Sequence, residues 1–76
     1  MALNKHELNL RGIACPMNFV KTRLFLDKIP SGDLLEVQLD NGEPVDSVSS
    51  SVAEEGHAVE KIERKADYSI LSIRKL

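Results

Sequence analysis

The chain has a single cysteine, no tryptophan, one tyrosine and two phenylalanines among its 76 residues. One cysteine excludes a disulfide within the chain, and an unpaired thiol suits a reducing compartment better than an oxidising one. So few aromatic rings leave little material for a platform on which nucleic-acid bases stack. No run of like charges stands out, and a formal net charge of −2 argues against a phosphate-neutralising face. No apolar stretch approaches the length that spans a membrane, and the opening Met1–Glu7 has no hydrophobic signal core. A cytoplasmic protein is expected, without membrane or direct nucleic-acid partners. There is also no glycine-rich phosphate loop, no acid pair placed for hydrolysis and no serine nucleophile motif. One cysteine and two histidines, none at ligand spacing, give no expectation of a metal, and nothing calls for a cofactor.

What is present suits one folded domain over residues 1–76. Apolar residues make up 42% and charged residues 29%, which argues against disorder. A core of this size is marginal and depends on well-patterned elements. Leu8 and Leu10 alternate with Glu7, Asn9 and Arg11, as in a short strand with one buried face. Pro16 to Ile29 contains no glycine and carries Phe19, Val20, Leu24, Phe25, Leu26 and Ile29, enough apolar side chains for an amphipathic helix. Pro30-Ser31-Gly32-Asp33 turns the chain. Leu35, Val37 and Leu39, interleaved with Glu36 and Gln38, predict a strand. After the loop Asp40–Glu43, Pro44 opens a second helix with Val45, Val48 and Val52 on one face, closed by Gly56. Ala58–Arg64 and Tyr68–Arg74 predict an antiparallel hairpin, although Val59 and Ile62 do not share a face in a regular strand. The order β-α-β-α-β-β, with right-handed crossovers, predicts an α/β fold of the α+β two-layer kind. A four-stranded mixed sheet would carry both helices on one face.

The informative junction is Arg11-Gly12-Ile13-Ala14-Cys15-Pro16, between the first strand and the first helix. A cysteine beside a helix start meets free backbone N–H groups and the positive end of the helix dipole. Both favour the thiolate, which is the nucleophile, and the same setting stabilises a persulfide anion. Gly12 allows a tight turn, Pro16 suits the first helical position, and Arg11 adds positive charge. A lone cysteine is more often a small buried hydrophobe. Its place after a glycine turn brings the two readings level.

The segment Leu8-Asn9-Leu10-Arg11-Gly12-Ile13-Ala14-Cys15-Pro16 resembles the opening signature of the TusA (SirA-like) family of bacterial sulfur carriers. The resemblance runs on through Lys21, Gly32–Val37, Gly56-His57 and Ile73-Arg74-Lys75, nearly the whole chain. It implies a sandwich of the same element order and a protein that accepts sulfane sulfur on its cysteine, here Cys15. It also implies a donor partner, a cysteine desulfurase or rhodanese-like protein, and an acceptor protein in a relay. Such relays serve transfer-RNA thiolation, sulfur oxidation or cofactor assembly. Two positions depart from the family pattern. Asn18 stands where the signature Cys-Pro-x-Pro has its second proline, and Asn9 stands where an acid is usual. The helix start is expected to survive Asn18, whereas the rim that partners read is expected to change.

On this reading Met17 and Asn18 belong to a docking rim around Cys15. Arg64 and Lys65, expected at the same end of the sheet with Asp40 and Glu43, are a further docking cluster. His57 falls at the opposite end and is expected to be solvated or to cap a helix; His6 is expected to be incidental near a frayed terminus. A monomer is expected. The competing reading is a regulatory or redox-sensing interaction module that docks through the Cys15 pole without moving sulfur. A sensor prefers a resolving cysteine, and this chain has none.

Overall fold

The computed structural model describes residues 4–14 and 17–76. Its elements are β1 (Lys5–Asn9), α1 (Met17–Leu26), β2 (Leu34–Asp40), α2 (Glu43–Glu54), β3 (Ala58–Arg64) and β4 (Tyr68–Arg74). The strands form one sheet in the order β1-β2-β4-β3, parallel between β1 and β2 and antiparallel elsewhere. Both helices pack on the same face of this mixed sheet, giving the two-layer sandwich that the element order predicts.

Side-chain rows across the sheet build the core. Leu8, Val37, Leu71 and Ile62 are register partners in turn, and so are His6, Leu35, Ile73 and Val59. The central members of each row are fully buried under α2, whose Val45, Val48 and Val52 are equally buried. The valine spacing of three and four explains why this helix forms and which face it buries. α2 starts at Glu43, one residue before Pro44, with Gly42 as its N-cap. It ends in a Schellman motif. The Gly56 N–H donates to Ala53 O and the His57 N–H to Val52 O, both at 3.1 Å. Gly56 has φ 99°, the left-handed conformation this motif requires.

Val59 and Ile62 share a sheet face after all. The ladder shifts register between Val59 and Lys61, so Glu60 is a bulge that supplies one extra residue. Val59 therefore meets Ile73 and Ile62 meets Leu71, on one side of β4.

The first helix differs from expectation in two ways. It ends at Leu26 rather than Ile29, and its last turn tightens through Lys28 N–H to Phe25 O and Ile29 N–H to Leu26 O. Its buried face is also not purely apolar, although Leu26, Phe19 and Phe25 pack on the core. Asn18 and Thr22 are fully buried beside Leu26, while Met17, Val20 and Leu24 are 48%, 38% and 56% exposed. Leu24 and Val20 are thus surface residues, not core. Thr22 fits because its hydroxyl donates back to Asn18 O at 2.8 Å.

His6 is not incidental. It lies on β1 facing the helices, with Nε2 2.9 Å from the carboxylate of Asp33, whose side chain is 7% exposed. Its ring meets Phe25 edge-on at 5.9 Å. This pair ties β1 to the turn between α1 and β2.

Candidate functional site

Cys15 and Pro16 lie outside the described residues, so the site is built from what surrounds them in the chain. The β1–α1 turn and the start of α2 fall at one pole of the sheet, because β1 and β2 are parallel and both feed helices from their carboxyl ends. Two helix N-termini therefore share this pole, a setting that favours an anion. Glu43 and Asp46 occupy the first turn of α2, whereas the first turn of α1 carries no acid. The end of β3 and the start of β4 close the same pole.

The turn is fastened at three points. The Asn9 side-chain oxygen accepts from the Arg11 N–H at 3.0 Å, and the Asp40 carboxylate accepts from the Gly12 N–H at 3.0 Å. The Arg11 guanidinium stands over the Tyr68 ring, 4.3 Å from its centroid. An aspartate at position 9 would offer the same acceptor oxygen, so Asn9 preserves the turn despite its departure from the family signature. Gly12 takes φ 81°, which suits glycine. Arg11, expected as an electrostatic helper, is thus engaged with a ring on the open face of the sheet. Tyr68 and Asp40 support the turn through pairings more than twenty residues apart in sequence, which no local motif announces.

A second fastening joins the loop after β2 to the β3–β4 hairpin. Asn41 Nδ2 donates to Lys65 O at 3.0 Å and Ala66 O at 3.3 Å, and Asn41 Oδ1 accepts from the Ser69 hydroxyl.

The structure separates the expected docking residues. Met17 is exposed at the start of α1, and Val20 and Leu24 continue an apolar stripe at helical spacing down its outer face. Asn18, expected on the rim, is fully buried, so a partner cannot read its side chain from the surface. A helix residue next to an exposed one points elsewhere, and Asn18 is turned into the interior. Arg64 and Lys65 do lie at this pole and are exposed. Arg64 ends the far edge strand and Lys65 follows it, roughly 14 Å from β1 at three strand spacings. That exceeds the screening length of about 8 Å in physiological salt, so their charge is largely screened there. Arg64 pairs with Asp46 at 3.2 Å and Lys65 with Glu63 at 2.8 Å. The hydrogen bond and charge of Glu63 hold the Lys65 ammonium above its ordinary pKa, and Lys65 holds Glu63 below its own.

His57 falls at the opposite pole, where its Nδ1 accepts from the Leu76 N–H at 3.2 Å. Among the described residues no group of His, Cys, Asp and Glu is placed to hold a metal, and no helix is long and apolar enough to cross a membrane.

The family model described as "Sulfurtransferase TusA" matches residues 6–75. A protein of Archaeoglobus fulgidus described as "Putative sulfur carrier protein" is 39% identical over 70 residues, covering 90% of this chain and 80% of that one. Among solved structures, the SirA-like protein of Desulfitobacterium hafniense superposes with a TM-score of 0.78. At 17% identity, over 91% of this chain and 95% of that one, it shows the shared fold alone.

Proposed function

The chain belongs to the TusA sulfurtransferase family, and from that premise we propose that it acts in the cytoplasm as one persulfide-carrying domain with Cys15 as the sulfur-bearing residue. The observation that carries this reading is the fastened β1–α1 turn. Asn9, Asp40 and Tyr68 hold Arg11 and Gly12 in the turn that leads to Cys15, at the pole where two helix N-termini favour an anion.

The chemistry is an exchange between sulfur atoms. The Cys15 thiolate attacks the outer sulfur of a donor persulfide, forming a new sulfur–sulfur bond as the donor's own breaks. The electron pair leaves with the donor's inner sulfur as a thiolate, and the proton on the transferred sulfur travels with it. Delivery repeats the exchange with Cys15 as donor, so the two steps need no external oxidant or reductant. A cysteine desulfurase or rhodanese-like protein supplies the sulfur, and an acceptor protein of a sulfur relay consumes it.

Met17, Val20 and Leu24 form the surface on which such partners sit, since they lead away from Cys15 along the exposed side of α1. Arg64 and Lys65 form an outer part of the same rim. If charge reversal at both left sulfur acceptance and delivery unchanged, that assignment would be withdrawn. Arg11 works by holding the turn, and Pro16 by setting the helix start.

Intact-protein mass spectrometry after incubation with a cysteine desulfurase and cysteine tests the reading. The expected result is a gain of one sulfur atom that reductant removes and that Cys15→Ser abolishes. No gain with this donor or with rhodanese-type donors would favour a docking module that moves no sulfur.

A further inference from the structure

α1 and the turn that continues it carry Lys21, Arg23 and Lys28 against a single acid, Asp27, in a chain whose net charge is −2. Arg23 is engaged: it faces α2, where its guanidinium pairs with Glu55 at 3.3 Å. Lys21 stands two residues earlier, about 200° round the helix and so on the side away from α2. Phe25, four residues after Lys21 and close to the same side, meets the His6 ring of β1 edge-on. Lys21 is therefore on the flank of α1 turned toward β1, the edge of the sheet. Lys28, seven residues and nearly two turns on, stands on the same flank. Both lysines are exposed, and neither makes an ion pair among the described residues.

Apolar side chains alternate with these charges. Met17 lies four residues before Lys21, and Leu24 lies between the lysines, three after one and four before the other. They are 48% and 56% exposed. Met17, Lys21, Leu24 and Lys28 thus form one stripe of alternating apolar and basic groups, with Val20 beside it. Two ordinary roles do not account for it. A lysine at a helix C-terminus complements the dipole, which explains Lys28 but not Lys21 in mid-helix. Exposed apolar residues are common singly, whereas these recur with the period of the helix.

The chemistry of the stripe selects its occupant. Two ammonium groups call for carboxylates, and Met17 and Leu24 call for apolar side chains. A nucleic-acid backbone supplies no apolar contact, and the stripe holds no ring on which a base could stack. A second copy of this chain would bring lysines against lysines. The spacing selects the occupant's shape. Lys21 and Lys28 are about 10 Å apart along the axis, the rise of seven residues in any α-helix. A strand repeats one face at about 6.6 and 13 Å and misses that spacing.

We propose that this flank of α1 seats an acidic amphipathic helix of a partner protein, with carboxylates seven residues apart on Lys21 and Lys28 and apolar side chains on Met17 and Leu24. The inference deepens the sulfur-carrier reading and rests on it only for identifying that partner as a member of the relay. Opposite charges across the contact also speed encounter, and salt weakens their attraction.

The test uses the whole chain and a synthetic helical peptide with leucines along one stripe and two glutamates seven residues apart beside it. A control peptide has lysines in place of the glutamates. Backbone amide shifts in two-dimensional NMR locate the contact, and their titration gives the affinity. The expected result is shifts confined to residues 17–28 and the adjoining β1, with an affinity that falls as salt is added. Lys21→Glu combined with Lys28→Glu should weaken the glutamate peptide about tenfold, the scale of two surface ion pairs lost. The same double variant should bind the lysine peptide better than wild type does, a gain that misfolding cannot produce. Absence of binding, shifts elsewhere on the chain, or equal affinity for the two peptides would overturn the proposal. So would a poly(U) RNA that binds the same residues more tightly than the glutamate peptide. Peptide binding requires no sulfur. A chain that binds the glutamate peptide along α1 but takes up no sulfur would count against the carrier reading and not against this face. Normal sulfur uptake without peptide binding would do the reverse.

Discussion

The Arg11 guanidinium rests 4.3 Å from the centroid of the Tyr68 ring, joining the turn before Cys15 to the first residue of β4. Arg11→Gln is expected to lose about 0.5–1 kcal/mol in denaturant unfolding, the range for an exposed cation–π pair. Tyr68→Phe keeps the ring and is expected to lose less. The Cys15 alkylation midpoint should stay in place in Arg11→Gln, since the guanidinium acts on the turn. A large upward shift of that midpoint would restore Arg11 as a direct electrostatic helper.

Leu24 and Leu26 lie two residues apart on α1 with opposite fates. Leu26 is 1% exposed and Leu24 is 56% exposed. Leu26→Ala is expected to cost about 2–5 kcal/mol through lost burial and a residual cavity. Leu24→Ala should stay within about 0.5 kcal/mol of wild type, as surface substitutions do. If the outer stripe of α1 seats the partner, Leu24→Ala also slows sulfur acceptance while leaving thermal unfolding unchanged. Equal stability losses for the two would place the α1 face wrongly.

The His6–Asp33 pair is a stability element at the pole opposite the site. Asp33→Ala removes a nearly buried carboxylate that accepts from His6 and is expected to cost about 1.5–3 kcal/mol, the range for hydrogen bonds to charged groups. Calorimetric unfolding measures this, and sulfur loading of the folded variant should be unaffected.

Acid stability should follow Glu60. Its hydrogen bond to Arg74, reinforced by the guanidinium charge, lowers its pKa from the ordinary 4.5. A lowered folded-state pKa contributes stability above the unfolded value, which is lost as pH falls through the folded one. Below about pH 4.5 the wild type should lose stability faster than Glu60→Gln, so the urea midpoints of the two converge in acid. Parallel curves would show that the pair contributes nothing to acid stability.

Much of the fold was legible because it is written in local patterns. Val45, Val48 and Val52 announced α2 and its buried face, and Leu35, Val37 and Leu39 announced the central strand. The bulge at Glu60 was not legible, because only pairing with β4 shows that one residue must be looped out to bring Val59 and Ile62 together. The buried face of α1 is not legible in the apolar pattern because Asn18 and Thr22 are polar. They become buried through hydrogen bonds to the helix backbone that an apolarity pattern does not count. The site shows the same division. The turn into Cys15 is visible in Arg11-Gly12 and the cysteine's neighbours, whereas Tyr68 and Asp40 reach it from segments remote in sequence. Only the folded sheet brings those together.

The most direct test of the central claim is a chase of labelled sulfur. The chain is loaded with radiolabelled sulfur from cysteine by a desulfurase, freed of donor, and mixed with a thiol acceptor. The account predicts that label leaves the chain and appears on the acceptor in equal amount, and that Cys15→Ser never becomes labelled. Label that stays on the chain, or that enters Cys15→Ser as readily as wild type, would contradict a transferable persulfide on Cys15.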